Sequence, residues 1–290
     1  DPRGRRRVRV RGSARARGGG GRVIRRLPGS GRVALAVVGL LWIVAALSPL
    51  FRARAGDIRL EERLRPPSLT HPFGTDDLGR DLAARVIVAT PISLAIGLLA
   101  ATMSLAVGFG IGGAAGYFGG AADLLLSRLI EVVLCFPVLF LLLALAAFLP
   151  ASAATVVLAI GLTTWPADAR YARAEILKAR SLDYTRAARA AGASPARILL
   201  RHLLPNALPP LLVSAAFGVS WAILAEAALS FLGVGLPAPA ASWGGILSAA
   251  PAYIEEAWWL ALFPGIALFA TVSAYNLLAE GLRQATTKAD

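Results

Sequence analysis

Residues 108–113 have the sequence Gly-Phe-Gly-Ile-Gly-Gly, which matches the glycine pattern that holds a dinucleotide pyrophosphate, and Glu131 follows near the distance of a ribose-binding acid. A dinucleotide site requires a strand before the glycines and a soluble helix after them. Here the glycines lie inside an apolar stretch, where Gly108, Gly112 and Gly116 recur every fourth residue. Small residues at this spacing let membrane helices pack closely. We therefore interpret these three glycines as a helix-packing stripe and not as a nucleotide site.

Residues that hold metals or act as nucleophiles are scarce. The chain has one cysteine, Cys135, and two histidines, His71 and His202, far apart in sequence. This composition excludes a disulfide framework and a thiolate metal site. A P-loop requires a Gly-Lys-Ser/Thr run, and neither of the two lysines, Lys178 and Lys288, follows a glycine. We expect no catalytic residue, no metal site and no cofactor bound by this chain itself.

The composition indicates lipid as the solvent for most of the chain. Hydrophobic residues make up 57% and charged residues 16%, with a mean hydropathy of +0.64, whereas soluble domains are about 45–50% apolar and about 25% charged. A bilayer core needs about 20 apolar residues of helix. We predict an all-α integral membrane protein with six transmembrane helices. The predicted spans are residues 33–51, 86–115, 129–149, 153–165, 207–232 and 258–281.

The distribution of basic residues predicts the orientation of these spans. Both termini, the 116–128 loop and the 166–206 block lie on one side, and that side carries most of the 30 lysines and arginines. The positive-inside rule places that side in the cytoplasm. Residues 52–85, where basic and acidic residues are mixed, and residues 233–257, which contain no basic residue, then form the external segments.

The two ends of the chain are polar. Residues 1–32 are rich in arginine and glycine without apolar periodicity, so we predict a disordered cytoplasmic tail. Basic clusters beside a span usually bind anionic lipid, and we prefer this interpretation over nucleic-acid binding. Residues 33–51 form a longer apolar run than a signal peptide has and lack its cleavage site, so we expect a retained first helix. Residues 284–290 form a second cytoplasmic tail.

An arginine-rich segment, residues 184–210, interrupts the apolar sequence. Helix-forming residues dominate both sides of Gly192, which permits a left-handed turn between two short helices. Pro195 suits the first turn of the second helix, and Ser194 is its expected N-cap. We expect the run Leu204-Pro205-Asn206 to end that second helix before the fifth span begins.

This segment resembles the EAA loop of ABC-importer permeases, whose pattern is Glu-Ala-Ala, three residues, Gly, nine residues and Ile-x-Leu-Pro. The chain has Arg186-Ala187-Ala188, then Gly192, then His202-x-Leu204-Pro205 at the same spacing, with Arg186 replacing the acid and His202 the isoleucine. Residues 71–86, 225–247 and 263–283 resemble segments of the C-type permeases for dipeptides, oligopeptides and nickel. The four similar segments occur in the family's order.

The resemblance implies a type I ABC importer (MetI-like) permease fold, with a five-helix core at residues 86–283 and a coupling loop at 166–206. It implies a second permease of the B type in a heterodimer, two cytoplasmic P-loop ATPase subunits that bind ATP and Mg²⁺, and an extracytoplasmic substrate-binding protein. Membrane lipid is a further expected partner, and nucleic acid is not. The residues expected to contact the ATPase are Tyr184, Arg186, Ala187, Ala188, Gly192, Ala193, Ser194, Arg197, His202 and Pro205.

Glu226 lies well inside the fifth predicted span. A carboxylate within the membrane is costly and is a functional-site hypothesis by default, so one interpretation places Glu226 on the translocation path. The other places it near the outer interface, paired with a helix of the partner permease. A stand-alone secondary transporter or channel is the alternative function, although the sequence shows neither an inverted repeat nor several intramembrane charges. The substrate class, whether dipeptides, oligopeptides, nickel chelates or related solutes, stays open.

Overall fold

The computed structural model describes residues 27–237 and 240–287. Within these ranges the secondary-structure elements are all helices. Most of the predicted N-terminal tail and the last three residues lie outside the described residues. The helices, numbered here in chain order, are α1 Gly29–Leu47, α2 Arg52–Gly56, α3 Leu82–Phe118, α4 Gly120–Leu134, α5 Val138–Phe148, α6 Ala153–Arg180, α7 Asp183–Ala190, α8 Pro195–Arg197, α9 Leu204–Phe231, α10 Trp243–Leu247 and α11 Trp259–Thr287. The predicted all-α class is confirmed.

Four helices in the described ranges are long and apolar enough to cross a membrane: Gly29–Gly56, Leu82–Phe118, Pro195–Phe231 and Trp259–Thr286. The pair α4 and α5 raises this number to five if the two count as one broken span. The fourth predicted span, residues 153–165, is the apolar first half of α6, whose second half carries arginine and lysine. The first helix starts at Gly29, inside the segment predicted to be a disordered tail.

The third predicted span, residues 129–149, is not one straight helix. Its two halves, α4 and α5, meet at an angle of 83°. Pro137 stands at the break and is the N-cap residue of α5. Proline has no backbone N–H and disfavours helical geometry in the residue before it, so it ends α4 and permits the bend.

Pro166 and Pro205 stand where the sequence analysis placed the end of a span and the end of a helix, and in the structure the helix continues through both. The fourth span was expected to end at Trp165, but α6 continues through Pro166 to Arg180. Pro166 removes the N–H that would donate to the carbonyl of Leu162, and the hydroxyls of Thr163 and Thr164 donate to the carbonyl of Ile160 in the same turn of the helix.

Pro205 likewise does not end the preceding helix. Residues Ile198–Leu203 form a wide π-helical turn that leads directly into α9. An interior proline cannot donate to the carbonyl four residues before it and its ring clashes there. A π turn relieves both problems by widening the helix. The chain from Pro195 to Phe231 is therefore continuous.

The long helix α3 is the centre of the bundle. It packs along α6, and α9 packs against α3 and α11, while α11 also contacts α1. The glycines of the predicted stripe face α6: a Cβ on Gly112 would lie 2.0 Å from the carbonyl oxygen of Ala169, and one on Gly116 would lie 2.8 Å from that of Arg173. The two backbones approach closely because these positions have no side chain.

An ion pair joins α4 to α6 beyond this contact. Arg173 donates from Nε and Nη2 to the two carboxylate oxygens of Asp123, at 2.5 and 2.7 Å. Hydrogen bonding to this carboxylate raises the pKa of the Arg173 guanidinium. The start of the bent α4–α5 pair is thus tied to α6 by a charged, bidentate contact.

Candidate functional site

The elbow segment, residues 181–203, turns at Gly192, which has φ of 75°. The N–H of Gly192 donates to the carbonyl of Arg189, and that of Ala193 to the carbonyl of Ala188. These two bonds form a Schellman motif, which requires a left-handed residue and so favours glycine. Ser194 then caps α8 by accepting from the N–H of Arg197 at 3.4 Å. The predicted glycine elbow and N-cap are both present.

The inner face of the elbow segment is anchored to the bundle. Ile198 and Leu203 are buried with Ile176 of α6. Thr185 is buried as well, and its hydroxyl donates to the carbonyl of Ala179 at 3.0 Å. The guanidinium carbon of Arg189 lies 5.5 Å from the centre of the Tyr117 ring, a cation–π distance. The elbow is therefore a fixed projection at this end of the bundle.

The outer face of the elbow segment carries most of the residues that the EAA-loop resemblance singles out. The exposed ones are Tyr184, Arg186, Ala187, Gly192, Ser194, Arg197 and Pro205, and the half-buried ones are Ala188, Ala193 and His202. Arg186 reaches the carboxylate of Asp183 only at 4.0 Å, and both side chains are largely exposed. The segment thus presents small residues and cations outward.

A cavity of about 540 Å³ lies between α3, α6, α9, α11 and the bend of α4 and α5. Its walls include Val138, Phe217 and Trp221, which are apolar or aromatic, and one carboxylate, that of Asp168. The hydroxyl of Ser104 donates to Asp168 Oδ2 at 2.6 Å, and that of Ser214 donates to Oδ1 at 2.9 Å. Three helices that are distant in sequence thus converge on a single acid.

The sequence analysis missed Asp168 because it assigned residues 166–206 to a cytoplasmic block. One signal could have found it. Apolar or small residues continue at helical spacing on both sides of Asp168, and in the structure all of them are buried: Trp165, Ala169, Ala172, Ile176 and Ala179. This periodicity indicates that the helix stays packed inside the bundle well beyond Pro166.

Glu226 does not line this cavity. It is completely buried, and the hydroxyl of Ser230, one turn later on α9, donates to its Oε1 at 2.7 Å. Ser242, which caps α10, lies 3.5 Å from Ser230. The next residue, Trp243, donates from its indole to the carbonyl of Val86. Glu226 therefore belongs to a buried polar cluster between α9 and the short helix α10.

The cap segment, residues 52–81, forms an ordered polar layer before α3. Asp81 accepts from the N–H of Ala84 and so caps α3, and it also contacts Arg54 and His71. Asp76 accepts from two backbone N–H groups, those of Leu78 and Arg80. Asp76 also pairs with the side chains of Arg80 and Arg85. The cap segment is therefore held together by hydrogen bonds and ion pairs to two buried carboxylates.

Residues 106–288 match the family described as the binding-protein-dependent transport system inner membrane component. The chain belongs to this family. It is therefore a multi-pass inner-membrane permease subunit of a binding-protein-dependent ABC importer. It works with a substrate-binding protein, and separate ATPase subunits hydrolyse ATP.

Several curated proteins are similar over most of their length. A putative peptide transport system permease protein of Brucella suis is 43% identical over 255 residues, covering 87% of this chain and 85% of that protein. The dipeptide transport system permease protein DppC of Alkalihalophilus pseudofirmus is 38% identical over 257 residues, with 87% and 84% coverage. The oligopeptide transport system permease protein OppC of Bacillus subtilis is 35% identical over 254 residues, with 87% and 83% coverage.

The permease fold also has a counterpart among solved structures. A chain of the MetNI methionine ABC transporter, in inward-facing conformations, superposes with a TM-score of 0.57 at 21% identity. The superposition covers 71% of this chain and 97% of that one. At this identity the likeness bears on the fold, and the MetI-like permease fold implied by the EAA-loop resemblance is confirmed.

Proposed function

We propose that this chain is the C-type permease of a peptide importer and that its elbow segment is the contact for an ATPase subunit. A B-type permease supplies the other half of the translocation path in a heterodimer. The ATPase subunits bind ATP and Mg²⁺, and this chain binds neither. The printed names of the relatives, which include peptide, dipeptide and oligopeptide permeases, support di- or oligopeptides as the transported solutes.

The observation that carries this proposal is the combination of exposure and rigidity in the elbow segment. Its outer face is open, while Ile198 and Leu203 fix its inner face to the bundle. Through the π turn it continues without a break into α9, and α9 lines the cavity at Ser214 and Phe217. A displacement of the elbow therefore moves a wall of the cavity, which is how a domain motion reaches a transport path.

Gly192→Ala tests the elbow assignment against a matched control. Gly192 and Gly233 both have a positive φ, of 75° and 82°, both end a helix with the same pair of backbone bonds, and neither has an atom within 4 Å of an added Cβ. Each alanine costs about 1–2 kcal/mol of backbone strain. We expect only Gly192→Ala to reduce peptide uptake per ATP hydrolysed in proteoliposomes of the assembled importer.

Two stronger variants extend this test. Gly192→Pro and deletion of residues 186–197 should leave a membrane-inserted chain that no longer couples ATP hydrolysis to uptake. Normal uptake in the deletion variant would remove the coupling role from the elbow. ATP-independent uptake, with no ATPase in the purified complex, would instead favour a stand-alone carrier or channel.

The proposed orientation places both termini and the elbow in the cytoplasm. Its test uses Cys135→Ser as a background, because the single native cysteine is exposed. A cysteine introduced at Ala191, in the elbow, should resist a membrane-impermeant thiol reagent in intact cells, and one at Glu255, between α10 and α11, should react. The reverse pattern would contradict the orientation.

A further inference from the structure

We propose that Asp168, held by Ser104 and Ser214, binds the ammonium group of the transported solute within the cavity of the permease. This inference rests on the proposed function, since it takes the amino-terminal ammonium of a peptide as the group recognised. It adds a binding residue and the part of the substrate that this residue contacts.

The first step concerns charge. Asp168 is half-buried, and its two hydrogen-bond donors are neutral hydroxyls. Within the described ranges, no lysine, arginine or histidine nitrogen lies within 4.0 Å of its carboxylate. A carboxylate in a membrane protein interior is normally paired with a cation or faces a solute pathway. Asp168 lines the cavity, so a cationic group of a solute in the cavity can reach its carboxylate.

The second step concerns the remaining hydrogen-bonding capacity. An ionised carboxylate offers about four lone-pair sites. Ser104 uses one site on Oδ2 and Ser214 uses one on Oδ1, which leaves about one site on each oxygen. An ammonium group has three donors and no acceptor, so it matches an acceptor-only site. A metal cation such as Ca²⁺ takes six to eight oxygen ligands, many more than these three side chains supply.

The third step concerns size and shape. The cavity volume of about 540 Å³ falls in the range of about 300–1,000 Å³ that is typical of small-molecule sites. Its apolar walls, among them Leu134, Val138 and Trp221, suit side chains of varied structure, while one carboxylate fixes the end of the solute that all peptides share. A site of this kind recognises the amino terminus and tolerates the rest.

The fourth step concerns positioning. A Cβ on Gly108 would lie 2.6 Å from the Cβ of Asp168, so the close contact of α3 and α6 fixes the backbone of this residue. Ser104 lies one turn before Gly108 on the same helix. The glycine stripe therefore places Ser104 next to Asp168. Because the two serine hydroxyls already hold the carboxylate, binding a solute costs little additional side-chain entropy.

The test measures the charge preference of the cavity directly in the purified importer complex, with the full chain in a Cys135→Ser background. Thr164→Cys places a thiol in the cavity wall, one helical turn from Asp168. We expect cationic aminoethyl methanethiosulfonate to modify this thiol about tenfold or more faster than anionic sulfonatoethyl methanethiosulfonate, relative to free mercaptoethanol. Asp168→Asn should remove this preference. Glu131→Gln, which neutralises an exposed acid outside the cavity, should retain it.

A second readout identifies the group that binds. Trialanine should slow modification of the Thr164→Cys thiol, and N-acetyl-trialanine, which lacks the ammonium, should not. Asp168→Asn should abolish the protection by trialanine. Equal protection by both peptides would overturn recognition of the ammonium group.

Two further outcomes would overturn the proposal. One is a cation preference that persists in Asp168→Asn. The other is loss of the second permease from the purified Asp168→Asn complex, since the carboxylate would then be paired with that subunit. These results are separable from a failure of the proposed function, because thiol modification requires neither ATP nor uptake. Absence of an ATPase from the wild-type complex would refute the importer and leave the charge preference to be measured.

Discussion

The cap segment and the elbow segment are both rich in charge, yet they direct it to opposite sides. In the cap segment, the carboxylates of Asp76 and Asp81 are 2% and 3% exposed, and Asp76 pairs with Arg80 and Arg85, whose side chains are 22% and 16% exposed. In the elbow segment, Arg186 is 72% exposed, and its acidic neighbour Asp183 is fully exposed. The same residue types form buried ion pairs in the cap segment and solvent-exposed charges in the elbow segment.

This difference separates folding from binding. Charges that are already paired and buried are costly to separate, and they have little left to offer a partner. Charges that reach into solvent contribute little to stability and set the rate and specificity of association. Substitutions of the same kind should therefore unfold the cap segment and disable the elbow segment without unfolding it.

The largest expected effect is that of Asp76→Ala. Its buried carboxylate accepts from the backbone N–H groups of Leu78 and Arg80 and pairs with the half-buried Arg85. Removing one partner of such a buried network costs about 3–5 kcal/mol, because the remaining donors lose their acceptor. The measurement is the thermal unfolding midpoint of the detergent-purified protein.

The neighbouring Asp77→Ala is the matched control for this change. Asp77 is 31% exposed and reaches Arg80 only at 3.8 Å, so its replacement should change stability by less than about 0.5 kcal/mol. Equal unfolding midpoints for the two variants would mean that the buried carboxylate of Asp76 does not stabilise the cap segment.

Gly112→Ala should have the next largest effect, because α3 connects the two regions. Asp81 of the cap segment caps the start of this helix, and Tyr117 near its end supports Arg189 of the elbow. An added Cβ would meet the carbonyl oxygen of Ala169 at 2.0 Å, so α3 and α6 must separate. Overpacking of this kind costs about 1–3 kcal/mol.

Gly110→Ala provides the comparison on the same helix. Nothing lies within 4 Å of a Cβ at this position, and alanine favours helix over glycine by about 1 kcal/mol. We expect Gly110→Ala to raise the unfolding midpoint slightly and Gly112→Ala to lower it. Similar midpoints would show that the glycine stripe does not determine the α3–α6 contact.

Several local features of the chain could be predicted from the sequence. Apolar runs predicted the long helices α3 and α11 at their approximate positions. The residues around Gly192 predicted a glycine turn followed by a serine N-cap. These features depend on residues within a few positions of one another. Local chemistry is therefore sufficient to predict them.

Features that depend on distant residues were missed or wrong. Ser104, Asp168 and Ser214 meet across separations of 64 and 46 residues, which no local pattern encodes. The effect of a proline also depends on its surroundings: Pro137 stands at a break between two helices, whereas the helix continues through Pro166 and, after a π turn, through Pro205. Periodicity through Asp168 was the one signal that could have extended α6.

The smallest effect on stability, and the sharpest test of the comparison, is expected for Arg186→Ala and Arg197→Ala. Both side chains lie on the exposed face of the elbow segment, so each change should alter the free energy of unfolding by less than about 0.5 kcal/mol. Each should nevertheless weaken ATPase association by up to about fivefold, since an exposed ion pair contributes up to about 1 kcal/mol. The measurement is ATPase binding to immobilised permease complex at low and high salt, where the difference between wild type and variant should shrink as salt screens the charges.

Arg128→Ala, which removes an equally exposed arginine far from the elbow in sequence, should bind the ATPase as the wild type does. If Arg186→Ala lowered the unfolding midpoint instead and left association intact, the elbow charges would belong to the fold, as those of the cap segment do.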